Sequence, residues 1–202
     1  MNHNQTLNHT QTLHLVLTAL FLALILLLGL TPIGLIPLGF INVTILCVPV
    51  IVGTLLLGLK TGLLLGLCFG GVSALSAFGI YGTPSALAGA LVAASPVLAA
   101  VMCFFPRLMV PVVAHLVYKL ISKGEPAKKR AVPFAAVAGS LTNTILYLGL
   151  MLLFYVMMGI DSEGVLTLIG GTGLIAGTSE AVVAALIATP VLAAVWSAQK
   201  HK

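Results

Sequence analysis

The sequence predicts an all-α membrane protein of six transmembrane helices with both termini in the cytoplasm, and three observations carry that reading. Of its 202 residues 60% are hydrophobic and 6% charged, against about 25% charged in a soluble domain. A soluble fold cannot hide that much apolar surface, because much of any domain faces water. Apolar runs of membrane-spanning length, about 20 residues, recur along the chain, and the mean hydropathy is +1.20. Finally, the basic residues gather between runs, where they report topology.

Taken in order, the spans run over about 14–30, 43–57, 62–78, 96–121, 132–158 and 172–197 of a single domain, 1–202. The first ends at Thr31-Pro32, before a Gly/Pro-rich loop to Asn42. Residues 1–12 lack the Lys or Arg of a signal-peptide n-region, and no cleavage site follows, so the first span is expected to be a mature helix. The second contains Pro49, and Gly58-Leu59-Lys60-Thr61 is expected to turn tightly into the third. The Gly, Ser and Pro content of 79–95 favours a loop or re-entrant segment over a seventh span.

Charge placement supports six. Lys60, the cluster Lys119, Lys123, Lys128, Lys129 and Arg130, and Lys200 and Lys202 all fall on one side, which the enrichment of cytoplasmic loops in Lys and Arg makes the inside. Asp161 and Glu163 then fall outside. A seventh span would carry Lys60 or the 119–130 cluster outward.

Arg107 is the basic residue left over. It lies about ten residues into the fourth span, or ~15 Å deep, and Glu180 lies about eight residues into the sixth, or ~12 Å. Asn143 is at mid-depth of the fifth. An ionised side chain at mid-membrane costs about 2.5–3.5 kcal/mol on insertion scales, so such residues are paired, shielded or functional. Either Arg107 and Glu180 pair to lock the bundle, or they line a polar cavity open to the outside in which Arg107 meets an anion. Ser140, Asn143, Thr144 and Tyr147 follow i, i+3, i+4, i+7 spacing and share one face; this stripe suits either interhelical hydrogen bonds or a cavity wall. Gly173, Ala176, Gly177, Glu180 and Ala184 give the sixth span a mostly small face. Gly62, Gly66, Gly70 and Ala74 form a small-xxx-small seam for close helix packing.

Other chemistries find no support. Gly53 to Thr61 resembles a P-loop, but Lys60 stands one residue too late and no strand precedes it. His115 and Ser140 have no third group to orient them as base and nucleophile. Cys47, Cys68 and Cys103 sit singly in apolar runs without metal-site spacing. The formal charge of +5 has no hydrophilic domain from which to meet nucleic acid. An intramembrane enzyme using Arg107 and Glu180, or a structural subunit, remains as a reading from another class.

Several segments carry a resemblance. Pro37 to Gly53 looks like the loop 1 and helix 2 region of substrate-specific S components of energy-coupling-factor (ECF) vitamin transporters. Leu57-Gly58-Leu-Lys60-Thr-Gly62 and Leu65-Gly66-Leu-Cys-Phe-Gly70 are similar to that family's LGPKxG and LGxxFG stretches. Phe105-Pro106-Arg107-Leu108 resembles its PR motif, Gly139-Ser-Leu-Thr142-Asn143-Thr144 its GxLTNT pattern, and Gly177-Thr-Ser-Glu180 the glutamate-bearing start of helix 6. The pantothenate-specific branch is most similar, although Cys47 stands where that branch often has His, and Ala176 where it often has Asn. The resemblance implies a non-enzymatic subunit that binds a water-soluble vitamin, pantothenate or another such as folate, in a bacterial plasma membrane. It implies Arg107, Asn143, Glu180, Asn42, Thr144, Tyr147 and Tyr81 as substrate-binding residues, beneath loops around Asn42 and Tyr81. It implies as partners a T component, docked on the Ala19-x-x-x-Ala23 face, and two cytoplasmic ATPases that use the ATP. No cofactor is expected in this chain.

Overall fold

Lipid offers main-chain N–H and C=O groups no partners, so long apolar stretches must satisfy them internally, as helices. The computed structural model describes residues 3–31, 34–37, 42–81, 85–125, 127–160 and 162–200. Along these run α1 (His3–Gly29), β1 (Leu35–Pro37), β2 (Asn42–Thr44), α2 (Cys47–Leu57), α3 (Leu59–Ala77), α4 (Ala86–Ala94), α5 (Pro96–Ser122), α6 (Val132–Met158), α7 (Ser162–Leu168) and α8 (Leu174–Lys200). A 3-10 turn, Lys129–Ala131, leads into α6, and a π-helical turn, Ile169–Gly173, joins α7 to α8. Among the described residues five helices are long and apolar enough to cross a membrane: α1, α3, α5, α6 and α8.

The second expected span is the main correction. Helix begins only at Cys47, and the 11 residues of α2 extend about 16 Å, half of the ~30 Å hydrocarbon core. Residues 42–44 are instead a strand, paired antiparallel with β1 in the register Leu35↔Thr44, Ile36↔Val43 and Pro37↔Asn42. Extended backbone suits the β-branched Val43 and Thr44, and the sequence reading had assigned them to a helix on hydropathy alone. The turn expected over 58–61 shrinks to Gly58, whose φ of 92° and ψ of 170° only glycine adopts without strain, so α3 starts earlier than Gly62. Within 79–95 lies a nine-residue helix, α4, about 13 Å long and too short to cross. The last helix starts at Leu174, after α7 and the π turn, rather than at Thr172.

Helix ends follow local chemistry. Ser85 and Ser95 cap α4 and α5, their Oγ atoms accepting from the N–H groups of Ala88 at 3.3 Å and Leu98 at 3.5 Å. Pro96 occupies the first turn of α5, where no N–H is needed. Helix α6 stops at Gly159, in the left-handed region (φ 65°), while Ile160 N–H donates back to Tyr155 C=O at 3.1 Å.

The core has two parts. One surrounds α2, buried from Cys47 to Thr54 and packed against α1, α3, α5, α6 and α8. The other gathers Leu91 of α4 with Met102, Met151 and Tyr155, and the Tyr155 hydroxyl donates to Leu87 C=O at 2.7 Å. Leu20, Leu27, Val97, Leu120, Ile145 and Leu186 are exposed on the outside. An apolar surface this extensive belongs in lipid rather than in water.

The small-residue seam of α3 packs on α5. A Cβ added at Gly66 would sit 2.6 Å from the Arg107 carbonyl oxygen, and one at Gly70 would sit 2.6 Å from Phe104 Cδ1. Because main chain cannot swing aside as a side chain can, Gly66→Ala is expected to destabilise the protein by about 1–3 kcal/mol. Thermal unfolding in detergent measures this, and an unchanged midpoint would contradict the packing.

Candidate functional site

Two prolines shape α5 around Arg107. Pro106 has no N–H to give to Met102 C=O four residues earlier. The Arg107 guanidinium fills that gap, its Nη1 donating to Met102 C=O at 3.0 Å. Pro111 likewise leaves the carbonyl of Arg107 without its helical donor, and this is the oxygen against which Gly66 packs. Arg107 is 6% exposed. Its Cζ lies 4.5 Å from the Tyr147 ring centroid and 5.3 Å from that of Phe69, so two aromatic faces hold the cation in a desolvated setting, where such contacts are strongest.

Arg107 borders a cavity of about 50 Å³ between α3, α4, α5, α6, α8 and the end of β2. That is room for a few waters, at ~10–15 Å³ each on this measure. Of the residues singled out in the sequence, Arg107, Asn143, Thr144, Tyr147 and Glu180 line the cavity. Ser140, on the same stripe, is fully buried outside the lining, with no partner for its Oγ. Tyr81 is exposed and lies away from the lining; its hydroxyl donates to Leu30 C=O at the end of α1. The side chain of Asn42 lies outside the described residues. Ala19 and Ala23 are exposed on α1.

Four polar lining residues were missed. Ser73 and Ser76 project from α3, at i, i+3 spacing that the glycine repeat of the same helix obscured. Ser85 lines the cavity while capping α4. Thr44 takes part through its main-chain N–H, a donor that every residue except proline has and that no composition signal can reveal.

Arg107 and Glu180 turn to different partners. Among the described residues Arg107 and Glu180 form no ion pair, whereas Lys128 and Glu125 do, at 3.4 Å. Glu180 is held elsewhere. Its Oε1 accepts from Thr44 N–H at 2.6 Å and its Oε2 from the Thr144 hydroxyl at 3.2 Å. Arg107 Nε and Asn143 Oδ1 are buried without a hydrogen-bond partner. A buried polar atom left so costs about 1–3 kcal/mol. The cavity wall thus presents a cationic donor and a neutral acceptor, which suits a ligand carrying an anionic oxygen and an N–H or O–H.

Comparison with known proteins identifies the family. The chain is 28% identical over 167 residues to the pantothenic acid transporter PanT of Lactococcus lactis subsp. cremoris (strain MG1363), covering 78% of this chain and 80% of that protein. Residues 13–192 match the family described as ECF transporter, substrate-specific component. Together with the helical membrane fold and the enclosed polar cavity, that match over most of its length makes the chain a member of the family of ECF transporter substrate-specific components.

Proposed function

We propose that this chain captures pantothenate from outside the cell, as the non-enzymatic, substrate-binding S component of an ECF transporter in a bacterial plasma membrane. The observation that carries the reading is the buried Arg107, unpaired with Glu180 and with its Nε free, beside the free Asn143 Oδ1. Arg107 takes the ligand carboxylate, and Asn143 accepts from an amide N–H or hydroxyl. Thr144, Tyr147 and Glu180 complete the wall, and Asn42 and Tyr81 belong to the outer loops above it. The relative named for pantothenic acid supports this ligand.

The six-span topology completes the reading, with both termini in the cytoplasm and 1–202 as one domain. Helix α2 reaches only part of the way across, and the hairpin and turn before it supply the rest. Irregular backbone is tolerated at membrane depth when protein covers it, and Thr44 and Leu46 are buried. The partners are a T component, seated on the Ala19 and Ala23 face of α1, and two cytoplasmic ATPases that consume the ATP. This chain itself carries no cofactor.

Purified protein tests the proposal by native mass spectrometry and calorimetry against water-soluble vitamins. Pantothenate is expected to bind with sub-micromolar affinity and to be recovered unchanged. Binding of folate instead, which also offers carboxylates to Arg107, would overturn the ligand and keep the class. Release of a chemically altered product, or no binding of any vitamin, would overturn the class as well.

A further inference from the structure

A ligand of vitamin size needs a pocket of about 300 Å³ or more, and the cavity beside Arg107 offers about 50 Å³. The walls must therefore part somewhere, and the layout around Glu180 indicates where. Thr44 and Glu180 also line a second cavity of about 190 Å³, between the start of α2 and α8. Thr144 also lines a groove of about 350 Å³ between α6 and α8, largely apolar, whose walls include Gly177 and Ile145. Glu180 lines the first two of these spaces, and its hydrogen-bond partner Thr144 lines the first and the groove. Its bond to Thr44 N–H joins the two residues that the first and second spaces share, and its bond to the Thr144 hydroxyl ties α8 to a residue shared by the first space and the groove.

The Thr44 contact is well built for that purpose. It joins residues 136 apart in sequence, at 2.6 Å, and a carboxylate accepting from a main-chain N–H is among the stronger protein hydrogen bonds. Thr44 also closes the turn into α2, its Oγ1 accepting from Leu46 N–H at 3.2 Å. A single side chain on α8 is thus bonded to both the end of the hairpin and α6.

We propose that Glu180 is a positioning residue, a latch whose two hydrogen bonds hold β2 and α6 against α8 and whose release joins the neighbouring spaces into one pocket of ligand size. This rests on the reading of the cavity as the vitamin site and adds the place at which it opens. Glu180 then acts on ligand uptake and release through the hairpin, beyond any contact it makes with the ligand itself.

Hydrogen exchange of the protein without added ligand tests the latch directly. Glu180→Ala is expected to raise exchange in peptides covering residues 42–46 by about 10–100-fold, the loss of one charge-assisted hydrogen bond. Amides of α3 and α5 should not change. Glu180→Gln keeps an acceptor for Thr44 N–H and should remain near wild type, and Thr144→Val, which leaves the Thr44 bond intact, should loosen the hairpin less than Glu180→Ala. If Glu180→Ala loses its monodisperse elution, Glu180→Met, which keeps the bulk and removes the acceptor, decides in its place: exchange over residues 42–46 equal to wild type would overturn the latch. So would unchanged exchange in Glu180→Ala.

Radiolabelled pantothenate then reads the kinetics. A latch variant should raise the association and dissociation rates together, whereas loss of a direct ligand contact alone would raise dissociation only and would overturn the positioning role. Failure of wild-type protein to bind pantothenate would defeat the proposed ligand and leave the exchange result standing.

Discussion

Arg107→Met is expected to reduce vitamin affinity by about 3–5 kcal/mol, the cost of removing one partner from a buried charged contact, or roughly 10²–10⁴-fold in Kd. The physical reason is that the guanidinium is already desolvated between Phe69 and Tyr147, so the anion meets a cation without a competing water shell. Arg107→Lys should fall nearly as far, because an ammonium lacks both the flat face that the two rings hold and the Nε donor. Stability and binding can be told apart here. In Arg107→Met the Met102 carbonyl loses its donor, since Pro106 cannot supply one. The double variant Pro106→Ala/Arg107→Met restores a main-chain N–H at the right place and should be more stable than the single variant by about 1–3 kcal/mol. It should still fail to bind. Calorimetry and thermal unfolding of the pair measure both, and recovery of binding in the double variant would show that Arg107 serves only the helix.

Asn143→Leu should move stability and affinity in opposite directions. Leu keeps the γ-branched shape of Asn, with a larger volume that the adjoining cavity can take up, and removes a buried acceptor that no group in the protein satisfies. Relief of that cost, about 1–3 kcal/mol, should raise the unfolding midpoint without ligand by about 2–4 °C per kcal/mol at this chain length. Affinity should fall by roughly 10–100-fold as the ligand donor loses its partner. A protein keeps such a residue against its own stability only where function uses it. A lower midpoint without ligand would mean that Asn143 holds the helices together, the interhelical role the stripe on α6 also allowed.

How far the sequence carried these conclusions depended on the kind of signal. Where hydrophobicity alone decides structure it was sufficient: α6 occupies 132–158 as expected, and α5 differs by one residue at its end. It failed where apolar residues leave the helix. Val43 to Leu46 are as apolar as the helix that follows, and only their β-branching hinted at a strand. In the site, side chains costly at mid-membrane were legible because lipid penalises them, and Arg107, Asn143 and Glu180 do meet at one cavity. Their pairing was not legible. Depth along each helix placed Arg107 and Glu180 level with each other, but rotation about the helix axes decides which atoms touch, and Glu180 turns instead to Thr44 and Thr144. Serine gave little warning, because it is small enough to pass for part of a packing seam.

The burial of α2 bears on how the protein is made. A helix of 11 residues enclosed by α1, α3, α5, α6 and α8 is too short to sit stably in a bilayer by itself. It leaves the ribosome before four of the helices that will enclose it. Biogenesis therefore divides into an early stage, in which the long helices insert, and a late one, in which α2 and the hairpin settle into the space that α6 and α8 complete. A chain cut in the 123–130 connection should assemble when both pieces are expressed together, whereas the first piece alone should be recognised as unfinished and degraded.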